Sequence, residues 1–157
     1  MGSPPERITP LEKRSQLQRM DIRIFHTDDT ENVIALWQAC ELTRPWNNPG
    51  LDIDRKLAVG SDLFLVAEDN GRIVGSVMGG YDGHRGWINY LAVDPTVRKQ
   101  GLGKKLMLDV ECRLLSKGCP KINLQVRTGN DDVIAFYEAI GFTDDNCTSF
   151  GKRLIPD

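Results

Sequence analysis

The chain has 157 residues, of which 40% are apolar and 27% charged, which fits one globular domain with a core of its own. Its formal net charge of −2 argues against a nucleic-acid-binding protein, which would carry a basic excess. No apolar run reaches membrane-spanning length, so we expect no membrane partner. Four scattered cysteines without a C-x-x-C pair, and only two histidines, argue against a metal site. With no signal peptide, this cysteine pattern predicts a cytoplasmic protein.

The first element pattern begins after an atypical N-terminal segment. Residues 1–20 are predicted to be an extension or an artificial remnant that contains one short helix, and residues 21–157 to be a single domain. Ile22–Phe25 reads as the first strand. Asp28 and Glu31 have the spacing of a capping box and are predicted to open the next helix.

The middle of the chain reads as a loop, a helix and three strands. Two prolines and a glycine predict a loop over Leu42–Gly50, and Ile53 and Leu57 mark a short helix after it. Asn70-Gly71 is the strongest hairpin signal in the sequence. The predicted strands are 63–68, 72–79 and 87–93.

The last third alternates helices and strands. A long helix is predicted over Leu102–Lys117, because four apolar residues recur at helical spacing and a glycine follows. Asn130 is predicted to cap a second helix. Further strands are predicted at 121–126, at Phe142 and at Ser149–Ile155. The order of elements predicts an α/β (α+β) domain, with a mixed sheet that carries helices on both faces.

The segment Val93–Gly103 combines a strand end, a basic glycine-spaced loop and a helix N-terminus. Such an arrangement brings backbone N–H groups and positive charge to one point, where a phosphate or pyrophosphate binds. A Walker A loop is disfavoured, because Gly101-Leu102-Gly103-Lys104-Lys105 lacks the spacing and the hydroxyl residue. A dinucleotide-binding fold is disfavoured too, because Leu106 stands where its third glycine is required.

A third interpretation is the R-x-x-G-x-G loop that binds the pyrophosphate of coenzyme A. With Leu91–Pro95 before it, and Asn130, Ala135–Glu138 and Gly141-Phe142 after it, the chain resembles the GNAT superfamily of N-acyltransferases over about residues 21–155. It looks closest to the bacterial YpeA-like subgroup. The resemblance implies a mostly antiparallel sheet of six to seven strands, in which strands four and five splay apart.

The resemblance also implies a cofactor site for acetyl-CoA. The pantetheine arm is expected to enter between the splayed strands and to bond with the backbone of strand four. Tyr137 is expected to face the cofactor sulfur, either as the general acid for the leaving thiolate or as a hydrogen-bond donor to it. The residues expected to bind the cofactor are Leu91, Ala92, Val93, Arg98, Lys99, Gln100, Gly101, Leu102, Gly103, Lys104, Asn130 and Phe136.

Acceptor specificity is expected in two loops and on strand four. Family members place the acceptor there, which implicates Arg44, Trp46, Asp82, His84 and Tyr90. Trp46 either lines a pocket or anchors its loop in the core. Asp82, His84 and Glu41 are candidate bases for the amine. Some relatives that acetylate proteins carry a glutamate on strand five, but the corresponding residue here is Gln125, an amide that is no base.

The leading hypothesis is an enzyme that transfers acetyl directly from acetyl-CoA to a primary amine. The amine belongs to a small molecule, a peptide or a protein. No cysteine stands in a nucleophile setting, so an acetyl-enzyme is not expected. The rival hypothesis is a non-catalytic acyl-CoA sensor or interaction module with the same fold. Relatives suggest a homodimer.

Overall fold

The computed structural model describes residues 6–156. Its helices are α1 (Pro10–Arg19), α2 (Thr30–Ala39), α3 (Pro49–Val59), α4 (Leu102–Ser116) and α5 (Asp131–Ala139). Its strands are β1 (Asp21–Ile24), β2 (Phe64–Asp69), β3 (Arg72–Tyr81), β4 (Gly86–Val93) and β5 (Ile122–Leu124). Among these residues, no helix is long and apolar enough to cross a membrane.

The five strands form one sheet in the order β1-β2-β3-β4-β5. The pairs from β1 to β4 are antiparallel, whereas β4 and β5 are parallel. The β2–β3 hairpin turns at Asn70 and Gly71, whose φ angles are 51° and 78°. Two consecutive positive φ angles are typical of a type I′ turn, so the predicted hairpin is confirmed.

Helices cover both faces of the sheet, as predicted. On one face, Trp37 of α2 and Ile53 of α3 pack with Phe64 and Val66 of β2. On the other face, α4 provides most of the helical contribution to the core. Its predicted apolar stripe is confirmed, since all four residues are buried: Leu102, Leu106, Val110 and Leu114.

The strands β4 and β5 pair over three residues only. Their pairing ends at Ile88↔Leu124, while β4 continues to Val93. The last five residues of β4 therefore have no β5 partner. We call the unpaired edge of residues 89–93, beyond the end of β5, the β4–β5 opening.

The expected strand number is wrong, because the sheet in residues 6–156 has five strands rather than six to seven. Ser149–Ile155 forms no strand. Phe150 is 93% exposed and Leu154 is 84% exposed, so the apolar residues that suggested a strand are not buried against the sheet. A strand pattern is stable only where its apolar face finds a surface to cover, and β5 offers only a three-residue edge.

The predicted capping box at Asp28 and Glu31 is also wrong. The box is formed two residues earlier, around a short 3₁₀ turn over Thr27–Asp29. The His26 ring accepts from the Asp28 N–H, and the Asp29 carboxylate accepts from the His26 N–H. Aspartate at the third position replaces the glutamate or glutamine of the usual motif.

The N-terminal helix lies against the start of α4. Leu17 packs against the core on the α4 face, and Met20 is buried. The Lys105 ammonium donates to the carbonyls of Met20 at 2.8 Å and Leu17 at 3.4 Å. Because these carbonyls end α1, the lysine acts as its cap. The predicted helix in the extension is thus confirmed.

Candidate functional site

The basic loop leads directly into the N-terminus of α4. Gly101 is the N-cap, with a left-handed φ of 91° and no side chain to cap the helix. The first N–H groups of a helix have no partner within it, and they carry the positive end of the helix dipole. An exposed helix start of this kind, preceded by Arg98 and Lys99, suits a phosphate group.

Gly103 lies where three elements meet. A Cβ built on this residue would be 3.2 Å from Cζ of Phe136 on α5 and 3.7 Å from Cγ2 of Val93 on β4. The structure therefore brings together three residues that the sequence assigned to the cofactor. A Cβ at position 103 would crowd the Phe136 ring, so glycine allows the close approach of α4 to α5.

The other loop residues divide into exposed cations and residues turned inward. Lys99 and Lys104 are exposed. Arg98 is also exposed, and its Nε donates to the Val93 carbonyl at 3.1 Å. Leu102 is a core residue, so only its main chain is available to a ligand. The Oε1 atom of Gln100 is buried without a hydrogen-bond partner among the described residues.

The main chain of β4 faces the β4–β5 opening at alternate residues. The Asp94 N–H donates to the Val74 carbonyl of β3 at 2.8 Å. Since successive residues of an antiparallel strand direct their polar groups to opposite sides, Val93 and Leu91 direct theirs away from β3. Ala92, which pairs with Ser76, directs its own toward β3. Its buried side chain packs on the α2–α3 face.

Tyr137 of α5 lies in an aromatic cluster near this opening. Its ring meets Phe136 and Phe142 edge to face, with centroid distances of 5.1 and 5.5 Å. Burial raises the pKa of its phenol to about 12, because the anion is poorly solvated there. No hydrogen bond reaches the hydroxyl from the described part of the chain, so its proton is available to a ligand.

Asn130 lies at the start of α5 but does not cap it. It occupies the N-cap position, yet its side chain makes no capping hydrogen bond. The prediction of a side-chain cap is therefore wrong. Two aspartates in the first turn, Asp131 and Asp132, interact favourably with the helix dipole instead.

On the α2–α3 face, Tyr90 is held from two directions. Its hydroxyl donates to the Asp52 carboxylate of α3 at 2.5 Å. Its ring stacks on Trp37 with a centroid distance of 3.8 Å. The sequence singled out Tyr90 but not Asp52, because the two are 38 residues apart and no motif relates them.

The two expected acceptor loops differ in the hydrogen bonds and the exposure of their side chains. Asp82 accepts from the N–H groups of His84 and Arg85 at 2.8 and 2.7 Å. These backbone bonds lower the pKa of its carboxyl, so Asp82 shapes the turn and is a poor base. Arg44 and His84 are exposed. Trp46 is 55% exposed, so the alternative in which it anchors its loop in the core is wrong.

In residues 6–156, no group of three histidine, cysteine, aspartate or glutamate side chains is placed to hold a metal ion. The four cysteines are free thiols. Cys40, the C-cap of α2, is close to the site, and its Sγ donates to the Val93 carbonyl at 3.2 Å. Val93 thus accepts from two side chains, Cys40 and Arg98, at the end of β4.

Comparisons with known proteins agree with this geometry. The model of the acetyltransferase (GNAT) family matches residues 26–142. An acetyltransferase of Pectobacterium atrosepticum is 56% identical over 138 residues, which are 88% of this chain and 98% of that protein. An acetyltransferase of Yersinia pestis (strain Pestoides F) is 54% identical over the same shares.

Solved structures show the same fold. The crystal structure of Ard1 from Thermoplasma volcanium superposes with a TM-score of 0.69 at 30% identity, covering 80% of this chain and 83% of that one. An aminoglycoside acetyltransferase from an uncultured soil metagenomic sample, in complex with trehalose, gives a TM-score of 0.69 at 23% identity, covering 88% and 98%. The family match spans most of the chain, and the relatives are named acetyltransferases. This chain is therefore an acetyltransferase of the GNAT family.

Proposed function

We propose that the acetyl donor is acetyl-CoA, bound between the N-terminus of α4 and the end of β4. The convergence of Gly103, Val93 and Phe136 carries the proposal. The pyrophosphate is assigned to the N–H groups at Gly101–Gly103, with Arg98, Lys99 and Lys104 providing positive charge. The pantetheine arm is assigned to the main chain of Leu91 and Val93, which faces the β4–β5 opening.

The fit of the chain to this donor rests on two further observations. The buried Oε1 of Gln100 lacks a partner in the described residues, and such an unpaired atom suits a site that takes up a ligand or a water. The structure of AAC(6')-Iy, 19% identical to this chain, is of a complex with a bisubstrate analogue that contains CoA. Its TM-score of 0.69 shows that the folds are alike.

The proposed reaction is direct transfer to a primary amine. The neutral amine nitrogen attacks the acetyl carbonyl carbon, so that a C–N bond forms and the C–S bond breaks. CoA leaves as a thiolate that is protonated from the solvent, while the Tyr137 hydroxyl donates a hydrogen bond to the departing sulfur. The amine proton passes through water to a base, for which His84 and Glu41 remain the candidates. Asp82 is held by its turn, and Gln125 is an amide.

The acceptor is assigned to the α2–α3 face and the loops beside it. Arg44 and Trp46 lie on the loop between α2 and α3, and their exposure leaves them available to a second substrate. His84 lies on the β3–β4 loop, and Tyr90 on β4 itself. An exposed tryptophan and arginine are typical of a recognition surface, which suits either a small amine or a peptide.

Titration calorimetry with Gly103→Ala tests the donor site. The added Cβ lies 3.2 Å from Phe136 and narrows the space at the helix start, so we expect acetyl-CoA affinity to fall by about tenfold or more. Gly151→Ala is the matched control, because nothing lies within 4 Å of its Cβ. Binding of ATP without binding of CoA by the unmodified protein would overturn the proposal.

The acceptor class requires a separate screen. Labelled acetyl-CoA is incubated with panels of small amines and of peptides, and acetylated products are identified by mass spectrometry. We expect one class to be acetylated at a rate that Trp46→Ala reduces. Acetylation that is equal for both classes and insensitive to Trp46→Ala would remove the assigned recognition surface.

A further inference from the structure

The end of β4 contains a bulge at Tyr90. β3 and β4 pair at Met78↔Asn89 and again at Ser76↔Ala92, so β4 has one residue more than β3 between these pairs. Tyr90 adopts a φ of 50°, which L-residues with large side chains rarely adopt. Such a conformation persists only where the surrounding structure holds it. The bulge lies just beyond Ile88, where the pairing of β4 with β5 ends.

Two hydrogen bonds in series hold the main chain at this bulge. The indole Nε1 of Trp37 donates to Ser76 Oγ at 2.9 Å. The Ser76 hydroxyl in turn donates to the Tyr90 carbonyl at 3.0 Å. The indole nitrogen can only donate a hydrogen bond, so the Ser76 oxygen accepts from it. The Ser76 hydroxyl proton is then left to donate to the Tyr90 carbonyl. We call this series the Trp37–Ser76–Tyr90 relay.

Burial makes the loss of either hydrogen bond in the relay costly. Trp37 and Ser76 are both fully buried, and Ser76 is one of two buried polar residues in the described chain, the other being Asp29. A buried hydroxyl without its partners is costly. Tyr90 is further fixed by its stacking on Trp37 and its bond to Asp52. The relay therefore joins α2, β3 and β4 at one peptide group.

We propose that Trp37 and Ser76 are positioning residues for acetyl transfer, because they set the direction of the Leu91 N–H. The carbonyl of Tyr90 and the N–H of Leu91 belong to the same peptide group. In a planar trans peptide they point in opposite directions, and the described chain has no cis peptide bond. A carbonyl fixed toward Ser76 thus directs the Leu91 N–H away from β3, into the β4–β5 opening.

The inference rests on the proposed function, since it is the acetyl-CoA arm that would meet this N–H. A preorganised donor at a thioester carbonyl stabilises negative charge on its oxygen in the transition state. The relay supplies that preorganisation from the α2–α3 face, where Trp37 is buried. Trp37 and Ser76 need not contact acetyl-CoA. Replacing either residue should still affect acetyl-CoA binding and turnover, because the direction of the Leu91 N–H would no longer be fixed.

Ser76→Ala tests the relay, because it removes the donor to the Tyr90 carbonyl and the acceptor of the Trp37 indole N–H. We expect acetyl-CoA affinity in titration calorimetry to fall by about tenfold, the equivalent of one lost hydrogen bond. Amide hydrogen exchange across residues 89–93 should accelerate. Ser76→Cys has nearly the same size and a weaker donor, so its affinity should lie between those of serine and alanine. If Ser76→Ala does not fold, Ser76→Cys alone tests the relay.

Val74→Ala is the matched control for a loss of stability alone. Val74 is equally buried in β3 but packs on the α4 face, so its truncation should lower the melting temperature while acetyl-CoA affinity stays within about twofold. Unchanged affinity and exchange in Ser76→Ala would overturn the relay. Failure of the unmodified protein to bind CoA would instead overturn the proposed function, so the two failures are distinguishable.

Discussion

At the scale of single residues, the high pKa of the Tyr137 phenol limits what this side chain can do for the leaving thiolate. Burial raises that pKa to about 12, whereas a free thiol has a value near 8.5. Full proton transfer from this phenol to a thiolate would therefore be uphill by about 5 kcal/mol. A hydrogen bond to the departing sulfur needs no such transfer. Tyr137 is thus better suited to donate a hydrogen bond than to give up its proton.

Tyr137→Phe should reduce turnover without weakening donor binding. We expect kcat to fall by about tenfold to a hundredfold, while the dissociation constant of acetyl-CoA stays within about twofold, because the ring and its aromatic contacts remain. Thiol release with an acceptor from the screen measures the first quantity, and calorimetry the second. Tyr81→Phe removes a phenol away from the opening and is the control. Full turnover in Tyr137→Phe would contradict the assigned role.

The pH dependence of the same reaction is a second check on Tyr137. A phenol with a pKa near 12 stays protonated throughout the range from pH 7 to 10. We therefore expect kcat to show no decline in that range from ionisation of Tyr137, and a rise only as the amine loses its proton. A descending limb below pH 10 that disappears in Tyr137→Phe would show that the phenol ionises much earlier.

The sequence predicts those site residues that belong to one local motif. It does not predict those whose partners are distant in the chain. Gly101 and Gly103 were found because their spacing, the preceding strand and the following helix lie within about fifteen residues. Ser76 and Asp52 were missed, since their partners are distant in the chain. Asp82 was chosen as a candidate base from its loop position alone. Its backbone bonds become visible only when the turn is folded.

At the scale of elements, α1 is more than an appendage. Leu17 packs on the core, and its Cδ2 lies 3.6 Å from the position of a Cβ on Gly101. The helix has a capping box at Thr9 and Glu12, so its N-terminus is also well formed. Since Lys105 caps its other end, α1 is tied to the element that carries the proposed pyrophosphate site.

Leu17→Ala measures the contribution of this docking. Truncating a half-buried leucine should destabilise the fold by about 1 kcal/mol and lower Tm by about 3 °C. Leu11→Ala on the same helix is the control, because Leu11 is 77% exposed and its loss should leave Tm nearly unchanged. Calorimetric melts compare the two. Equal Tm values for both variants would show that α1 contributes nothing to the fold in solution.

The helices and the C-terminal segment show why element predictions succeed or fail. The stripe of α4 was predicted because it repeats over four turns and ends at a glycine, so many residues report the same period. Ser149–Ile155 offers only a few apolar residues around Gly151. Whether such a short run forms a strand depends on the edge beside it, and β5 is short. The sequence contains no direct signal of that length.

At the scale of the whole molecule, one partly buried ion cluster joins the start of the sheet to the start of α2. Arg23 of β1 donates to both carboxylate oxygens of Asp29, at 2.7 and 2.9 Å. It also donates to Glu68 of β2 at 3.1 Å. The hydrogen bonds from Arg23 hold the pKa of the Asp29 carboxyl below its ordinary value. The cluster thereby couples the stability of the whole domain to pH.

The direction of that coupling follows from the sign of the pKa shift. A carboxyl whose pKa is lower in the folded state contributes its full stability above its unfolded value, near 3.8. The contribution is lost as pH falls through the lower folded value, because the folded protein must then take up the proton. Asp29→Asn removes the charge but keeps an oxygen that can accept from His26. It therefore isolates the ionic part of the interaction.

Urea unfolding of Asp29→Asn between pH 7 and pH 2.5 should show this dependence. At pH 7 we expect the free energy of unfolding to fall by about 2 kcal/mol. This is less than the loss of a fully buried pair, because Arg23 keeps Glu68 as a partner. The difference from the unmodified protein should begin to shrink below about pH 4, where the unfolded chain takes up the proton. It should vanish below the lower folded pKa of Asp29, where the folded protein is protonated too. Asp28→Asn, at a neighbouring exposed position, should show neither effect. A difference that is the same at pH 2.5 as at pH 7 would mean that Asp29 stabilises the domain through its shape and hydrogen bonds rather than its charge.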